Sequence, residues 1–400
     1  MPESQRAYDI RRILPITLPR LLLVLLLWSC ALAATAAPRI GVVTMQPGEI
    51  FFERFGHNAI LVDDPATGTA TSYNFGYFDP GEPDFIARFV RGRMRYQLVA
   101  LPLSDDLAYY REAGRGVSLQ WLALDAQDAA ELAAALADNA RPENAHYRYD
   151  YFLDNCSTRV RDALDRALGG SLAEQMGGSR GDTFRSEATR LASPDFWMWL
   201  GFDLGLARAA DQPLSNWDDA FVPMRLGTSL RTARNRSGEA LVAEEHALLP
   251  HRLDPEPAEA QRRWWPWLVG GLLIGALLRW SGRRAPRATA GAALVLWIVA
   301  GLLGALMLFI WLGTEHRFGW ANYNLLLLSP LAWLLLPGGF RLARGRTGGP
   351  GFDRFLLIAV ALAVGGLFVH WLQLFPQQNL HWIVLLLPIH VGLLLGLRKR

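Results

Sequence analysis

Cys156 is the residue of this sequence with the clearest potential for covalent chemistry, and it is one of only two cysteines in the chain. The residues after it, RVRDALDRAL, space Val160, Ala163 and Leu164 as on one face of a helix. Residue types that cap helix starts surround Cys156, at Asp154, Asn155, Ser157 and Thr158. A thiol in a first helical turn meets free backbone N–H groups and the positive end of the helix dipole, which lower its pKa. The pattern predicts a reactive thiolate, while a buried structural cysteine remains the alternative.

A thiolate nucleophile needs a base and a residue that orients the base. His57 begins the stretch HNAILV, which predicts a strand, and DDPATGT then predicts a turn before a returning strand from residue 69 to residue 75. This hairpin places Asn74 near His57, where its amide oxygen can accept the ring N–H. Tyr73 is the alternative if the register differs. His146 is closer to Cys156 in the sequence. Its segment is polar, however, which makes His146 the less favoured candidate for the base.

The first 36 residues have the layout of a secretory signal peptide. Scattered arginines precede the apolar run LLLVLLLWSCALAATAA, which ends in small residues around Ala36. An uncleaved anchor is the alternative. Cys30 lies within this run, where Trp28 fits a lipoprotein cleavage site poorly. Removal of the signal leaves Cys156 without an intramolecular disulfide partner, so its thiol is either inert or reactive.

Composition divides the remaining chain into three parts. Residues 37–238 mix charges, turns and apolar patches, as expected of an external domain with a sizeable core. Residues 239–263 are polar and predict a linker. Residues 264–400 predict a membrane domain. Its five apolar spans are Trp264–Arg279, Ala288–Leu312, Asn324–Pro337, Phe355–Leu374 and Trp382–Leu397.

Arginine distribution predicts the orientation of these spans. The loops after the first and third spans are rich in arginine, and the C-terminal tail is Arg-Lys-Arg, whereas the loops after the second and fourth spans together hold only Arg317. Cytoplasmic loops carry the excess of positive charge. The external domain and the arginine-poor loops therefore lie on the same, non-cytoplasmic side. The net charge of +3 gives no reason to predict a nucleic-acid partner.

Polar residues gather in the two outer loops of the membrane domain. They are Glu315, His316, Asn322 and Asn324 in one loop, and Gln377, Gln378 and Asn379 in the other. One interpretation is an ordinary membrane interface with an aromatic belt. The other is a substrate-binding rim. Arg159 and Arg161 lie near the thiol in the sequence. They either bind phosphate or are ordinary solvent-exposed side chains.

Longer motifs resemble a known family. RFGHNAILVDD, YNFGYFD, RPENAHYRYDYFLDNCSTRVRD and GFDLGL resemble the external domain of the Lnb-type lipoprotein N-acyltransferases, over residues 38–235. TEHRFGWANYNLLLLSPLAWLL resembles their membrane portion. The His-then-Cys order is similar to the circularly permuted papain-like folds of the NlpC and lecithin:retinol acyltransferase superfamily. The resemblance implies an α+β external domain of that permuted papain-like fold, followed by an α-helical membrane domain of about five spans.

The resemblance also implies roles and substrates. Cys156 matches the nucleophile, His57 the base and Asn74 the third polar residue, where permuted acyltransferases often have histidine. The implied reaction moves a phospholipid acyl chain through a Cys156 thioester to an amine, the N-terminal cysteine of an apolipoprotein. It needs no metal and no cofactor, and it takes place at the periplasmic face of the bacterial inner membrane. An exported cysteine hydrolase of cell-wall peptides and a non-enzymatic membrane scaffold remain open as alternatives.

Overall fold

The computed structural model of the chain describes residues 37–259, 263–372 and 376–398. The predicted signal peptide, including Cys30, lies outside the described residues. Within them, a sheet-rich first domain precedes a helical C-terminal region.

A seven-stranded antiparallel sheet forms the centre of the first domain, with the strand order β6-β4-β3-β2-β1-β5-β7. The strands are β1 (Arg39–Met45), β2 (His57–Asp64), β3 (Thr69–Tyr77), β4 (Arg95–Pro102), β5 (Val117–Leu122), β6 (His146–Arg148) and β7 (Val242–Leu249). Successive side chains of a strand point to opposite faces. Ile60 and Val62 of β2 accordingly join one hydrophobic cluster, while Ala59 and Leu61 join another. Apolar residues thus cover both faces of the central strands.

The helices of the first domain pack on both faces of this sheet or follow it along the chain. They are α1 (Phe85–Arg91), α2 (Leu103–Glu112), α3 (Ala126–Asn139), α4 (Cys156–Ala167), α5 (Ser171–Gln175), α6 (Phe184–Ala192), α7 (Phe196–Gly205), α8 (Asn216–Asp219) and α9 (Pro223–Leu230). Val160 and Leu164 of α4 are fully buried in the cluster that contains Ile60. Tyr110 of α2 packs in the opposite cluster, with Ala59. The sheet therefore lies between the helix that carries Cys156 and the helix that carries Tyr110.

Two local predictions about the first domain are confirmed and one is corrected. The hairpin has the predicted strands, with Ala59 paired to Asn74, and the helix after Cys156 runs as the periodicity indicated. The predicted linker of residues 239–263, however, contains β7, which pairs with β5 along Val117–Leu122. The segment without helix or strand therefore begins only after Leu249. The stretch VAEEHALL does not alternate apolar and polar residues and is mostly exposed, as suits a charged edge strand, so its pattern does not indicate a strand.

The C-terminal region contains long helices and one irregular segment. The helices are α10 (Trp265–Arg284), α11 (Pro286–Gly313), α12 (Leu336–Ala343), α13 (Phe352–Leu372) and α14 (Leu380–Leu397). Short 3₁₀ turns at Arg317–Gly319, Tyr323–Leu326 and Pro330–Leu335 separate α11 from α12. The third predicted span is therefore not one continuous α-helix, since Pro330 removes a backbone donor within it.

Among the described residues, four helical segments are long and apolar enough to cross a membrane. They are Pro286–Gly313, Arg317–Ala343, Phe352–Leu372 and Leu380–Leu397. The predicted first span, which forms α10, is not among these four, so its crossing of the membrane stays a prediction. That helix packs closely along α14, where a Cβ at Gly275 would lie 2.3 Å from the Pro388 carbonyl oxygen. Glycine permits this close backbone approach between the two helices.

Candidate active site

The start of α4 holds Cys156 in a fixed position. Asn155 caps the helix, since its Oδ1 accepts the backbone N–H of Thr158 at 3.0 Å while the Thr158 hydroxyl accepts the backbone N–H of Asn155 at 2.8 Å. The Asn155 amide also donates to the Phe221 carbonyl at 2.9 Å. Ser157, the next residue, donates to the Ala220 carbonyl at 2.6 Å. These bonds leave Cys156 in the first turn, half-buried and free of any disulfide.

The start of β2 brings His57 to the thiol. The ring of His57 hydrogen-bonds with Cys156 on one side, and its Nε2 lies 2.9 Å from Oδ1 of Asn74 on the other. Asn74 reaches His57 diagonally, because it pairs in the ladder with Ala59, two residues along the same face of β2. The structure therefore brings together all three residues predicted as catalytic.

A buried carboxylate fixes the proton positions in this chain of contacts. The Asn74 amide nitrogen donates to Oδ2 of Asp106 at 2.8 Å, and a carboxylate can only accept. This orients Oδ1 of Asn74 toward His57, so the histidine Nε2 must carry the hydrogen that it donates. Nδ1 is then the nitrogen that faces Cys156. His57 is thereby set to accept the thiol proton.

The electrostatics of the pair favour the thiolate. Burial on its own raises the pKa of Cys156, but the charge and hydrogen bond of His57 outweigh it, together with the backbone N–H groups of Asn58 and Ser157, and the pKa lies below its ordinary value. Burial likewise lowers the pKa of His57, but the Cys156 thiolate and Asn74 raise it above its ordinary value. Each group thus stabilises the charged form of the other, as in an activated cysteine.

An aromatic cavity opens in front of the thiol, with a volume of about 130 Å³. Its walls come from the loop before β2, from β3 and the turn after it, from β4, from the segment before α4, from α7 and from the turn between α8 and α9. They include Phe51, Phe55, Phe75, Phe78, Tyr96, Tyr149, Tyr151, Phe152, Phe202 and Phe221. Aromatic rings exclude water and offer contact to apolar groups. The arrangement is therefore that of a nucleophile with its base at the wall of a largely apolar cavity.

The predicted substrate-binding residues Arg159 and Glu315 occupy ion pairs. Arg159 is paired with Asp154, and its guanidinium stacks 4.0 Å from the ring centroid of Tyr147. Glu315 accepts from Arg93 and Arg148, which belong to the first domain. These two pairs tie the outer loop of the C-terminal region to the sheet-rich domain.

His316 also joins the two halves. Its Nε2 lies 3.0 Å from the Phe89 carbonyl oxygen, and its ring stacks on Tyr151, with centroids 5.8 Å apart. Asn322 and Asn324 are buried and both donate to the Leu204 carbonyl, at 2.7 and 3.1 Å. These two asparagines therefore hold the C-terminal end of α7.

Asp106 is the residue of this site that the sequence did not reveal. It lies on α2, and only the packing of that helix over β3 brings it to Asn74. The signal for the cavity was present in the sequence as clustered aromatic residues in EIFFERF and YRYDYF, but their common location depends on the tertiary fold.

Comparison with known proteins agrees with this division of the chain. A family model described as the Lnb N-terminal periplasmic domain matches residues 31–188, which include the Cys156 and His57 pair. A second, described as the Lnb transmembrane domain, matches residues 260–399. No curated protein and no solved structure matches the chain. The chain therefore belongs to the Lnb family, as a membrane protein with an exposed periplasmic domain.

Proposed function

We propose that this protein is a cysteine-dependent acyltransferase of the bacterial inner membrane, which moves a phospholipid acyl chain to an amine through a thioester on Cys156. The observation that carries the proposal is the hydrogen-bonded pair of Cys156 and His57 at an aromatic cavity. The acceptor suggested by the family resemblance is the N-terminal cysteine of an apolipoprotein.

In the first step, the Cys156 thiolate attacks the ester carbonyl of the donor. A C–S bond forms, the C–O bond of the ester breaks, and the His57 imidazolium gives its proton to the departing lysophospholipid alkoxide. Asn74 holds the ring so that Nδ1 faces the reacting atoms. The positive end of α4, with the backbone N–H of Cys156 at its start, stabilises the developing oxyanion.

In the second step, the acceptor amine attacks the thioester carbonyl. A C–N bond forms, the C–S bond breaks, and neutral His57 takes the proton that the amine loses. The Cys156 thiolate is restored. The apolar walls of the cavity support this division into two steps, because a thioester survives only where water is kept from it.

The permuted papain-like arrangement remains part of the proposal. It is supported by the order of the two groups in the chain and by their placement, with His57 on a central strand and Cys156 at the start of a helix packed on that sheet. For the substrate-binding residues, we propose that Glu315 and His316 shape the cavity entrance. Arg159, Asn322 and Asn324 then act by positioning their neighbours, since their polar groups contact the protein itself.

Intact-mass measurement of the full-length protein in phospholipid bilayers tests the first step. The parent protein should gain the mass of one acyl chain, and hydroxylamine should remove it. Cys156→Ala should gain none. A parent protein that never gains this mass, or a Cys156→Ala variant that gains it equally, contradicts the thioester mechanism.

Transfer of a labelled phospholipid chain to a diacylated lipopeptide tests the second step. The free N-terminal amine should accept the label, and the matched N-acetylated lipopeptide should not. Release of free fatty acid with no labelled lipopeptide would instead indicate a hydrolase. Transfer by Cys156→Ala at the rate of the parent protein would indicate a different nucleophile.

A further inference from the structure

A second cavity adjoins the one that contains Cys156 and has a volume of about 360 Å³. The two cavities share wall residues, which are Phe51, Tyr149, Tyr151, Phe152 and Phe202. All five are aromatic. The second cavity therefore adjoins the space in front of the thiol across a shared aromatic wall.

The far end of the second cavity lies against the membrane domain. Ile310, near the C-terminal end of the span Pro286–Gly313, forms part of its wall, together with Phe318 and Gly319. The opposite wall is the face of α7 that carries Trp197 and Gly201. Trp197 is 76% exposed, and tryptophan side chains are enriched at membrane interfaces.

We propose that this second cavity, which we name the acyl groove, holds the hydrocarbon chain of the phospholipid donor while its ester carbonyl lies at Cys156. The inference rests on the proposed function and specifies where its donor binds. The groove joins the outer end of a membrane span to the nucleophile, so a chain can pass between them without crossing water. Its aromatic and aliphatic walls match a hydrocarbon and offer a polypeptide few polar partners.

Three charged residues line the groove, namely Asp150, Glu315 and Arg317, and Arg317 is paired with Asp150 at 3.4 Å. Arg317 remains more than half exposed. A donor whose chain fills the groove can place its phosphate beside Arg317, where the exposed guanidinium can meet it.

Two glycines of α7 can be replaced by larger residues to test the groove. A Cβ at Gly201 or at Gly205 would meet no atom within 4 Å, and neither residue has positive φ. Gly201 forms part of the groove wall, so a larger side chain there extends into the groove and not into packed protein. Gly365 of α13 is equally unobstructed and does not line the groove, which makes Gly365→Phe the matched control.

The first experiment measures acylation of Cys156 by water-soluble p-nitrophenyl esters of increasing chain length. Each buried methylene should raise the rate by up to about fourfold, the factor that corresponds to its transfer from water. Gly201→Phe should lose this increase for long chains while keeping the parent rates of acetyl transfer and of iodoacetamide alkylation. Gly365→Phe should match the parent protein at every length.

The possible outcomes distinguish failure of the acyl groove from failure of the proposed acyl transfer. Equal chain-length profiles for the parent protein and Gly201→Phe overturn the acyl groove while leaving the thioester intact. Absence of acylation by every ester overturns the proposed function. If Gly201→Phe also loses alkylation, Gly201→Leu, with its smaller side chain, replaces it under the same criteria.

A second experiment does not depend on the thioester. Cys156→Ala protein in bilayers is irradiated with a phospholipid that carries a diazirine on its acyl chain, and the labelled peptides are mapped by mass spectrometry. Labels on α7 around residues 197–205 and on residues 310–319 are expected. Labelling confined to the lipid-facing surfaces of the membrane helices contradicts the groove.

Discussion

Replacement of Asn74 by alanine tests whether the buried chain of contacts prepares the thiol for reaction. In the structure, Asn74 accepts the Nε2 hydrogen of His57 at 2.9 Å and is itself oriented by Asp106. Alanine removes the acceptor but leaves the ring and the thiol in place. The change should therefore alter the protonation of His57 and Cys156 more than their positions.

The size of the effect follows from the hydrogen bond that is lost. A hydrogen bond to a charged group contributes about 1.5–3 kcal/mol. Asn74→Ala should therefore lower the pKa of His57. The population of the thiolate–imidazolium pair should fall about tenfold to a hundredfold relative to the neutral thiol and imidazole, since about 1.4 kcal/mol is a factor of ten.

The assay is the rate of iodoacetamide alkylation of Cys156 as a function of pH. In the parent protein, His57 lowers the pKa of Cys156 and the thiolate raises the pKa of His57, so the thiolate forms at lower pH than that of an ordinary cysteine. Asn74→Ala should reduce the rate at neutral pH and move the rise in rate to higher pH.

Ser72→Ala is the matched control for this variant. It removes the weaker acceptor of the same amide, at 3.1 Å, but keeps the contacts of Asn74 with Asp106 and His57. Its pH profile should stay close to that of the parent protein. If folded Asn74→Ala protein also has the parent profile, Asn74 does not set the protonation of the pair.

Three further predictions concern other parts of the molecule. Glu315→Ala should lower acyl transfer a few-fold at unchanged Cys156 alkylation, because it breaks the ion pairs that join the two halves; equal loss of alkylation would indicate damage to the thiol site itself. Burial and the nearby charge of Glu187 raise the pKa of Asp219 from 3.8 to about 6. Its favourable contribution to stability is therefore complete below its unfolded pKa and is lost as the pH rises through 6. Asp219→Asn should raise the free energy of unfolding by up to about 3 kcal/mol at pH 8 but by little at pH 4, and an equal effect at both pH values would contradict this. A reporter fused after Gly319 should behave as external and one after Arg346 as cytoplasmic, and external labelling at Arg346 would overturn the topology inferred from the arginines.

Sequence reasoning succeeded where the structure depends on neighbours along the chain. The β2–β3 hairpin and the helix start at Cys156 follow from turn residues, alternation and capping, all within a few residues. Hairpin geometry brought both Asn74 and Tyr73 near His57, and the observed register selects Asn74. The contact between Asn74 and Asp106 does not, because it requires the packing of a separate helix on the sheet.

The same limit explains the outer loops of the membrane domain. Asn322 and Asn324 have the composition of a binding rim, but their amides donate to carbonyls of α7, far away in sequence. Residue type showed that these groups need hydrogen-bond partners. Which partners they contact was decided by the docking of the loop on the first domain.

The walls of the two cavities bear on the choice between the acyltransferase and a cell-wall hydrolase. A hydrolase of hydrophilic peptides needs an open cleft with polar groups along the substrate, and its external domain contains the whole site. Here the space in front of Cys156 is lined mainly by aromatic residues of the first domain, and the adjoining second cavity reaches Ile310 and Phe318 of the C-terminal region. The second cavity is therefore complete only when both halves are present. This favours a donor that reaches the thiol from the bilayer over one that arrives from the cell wall.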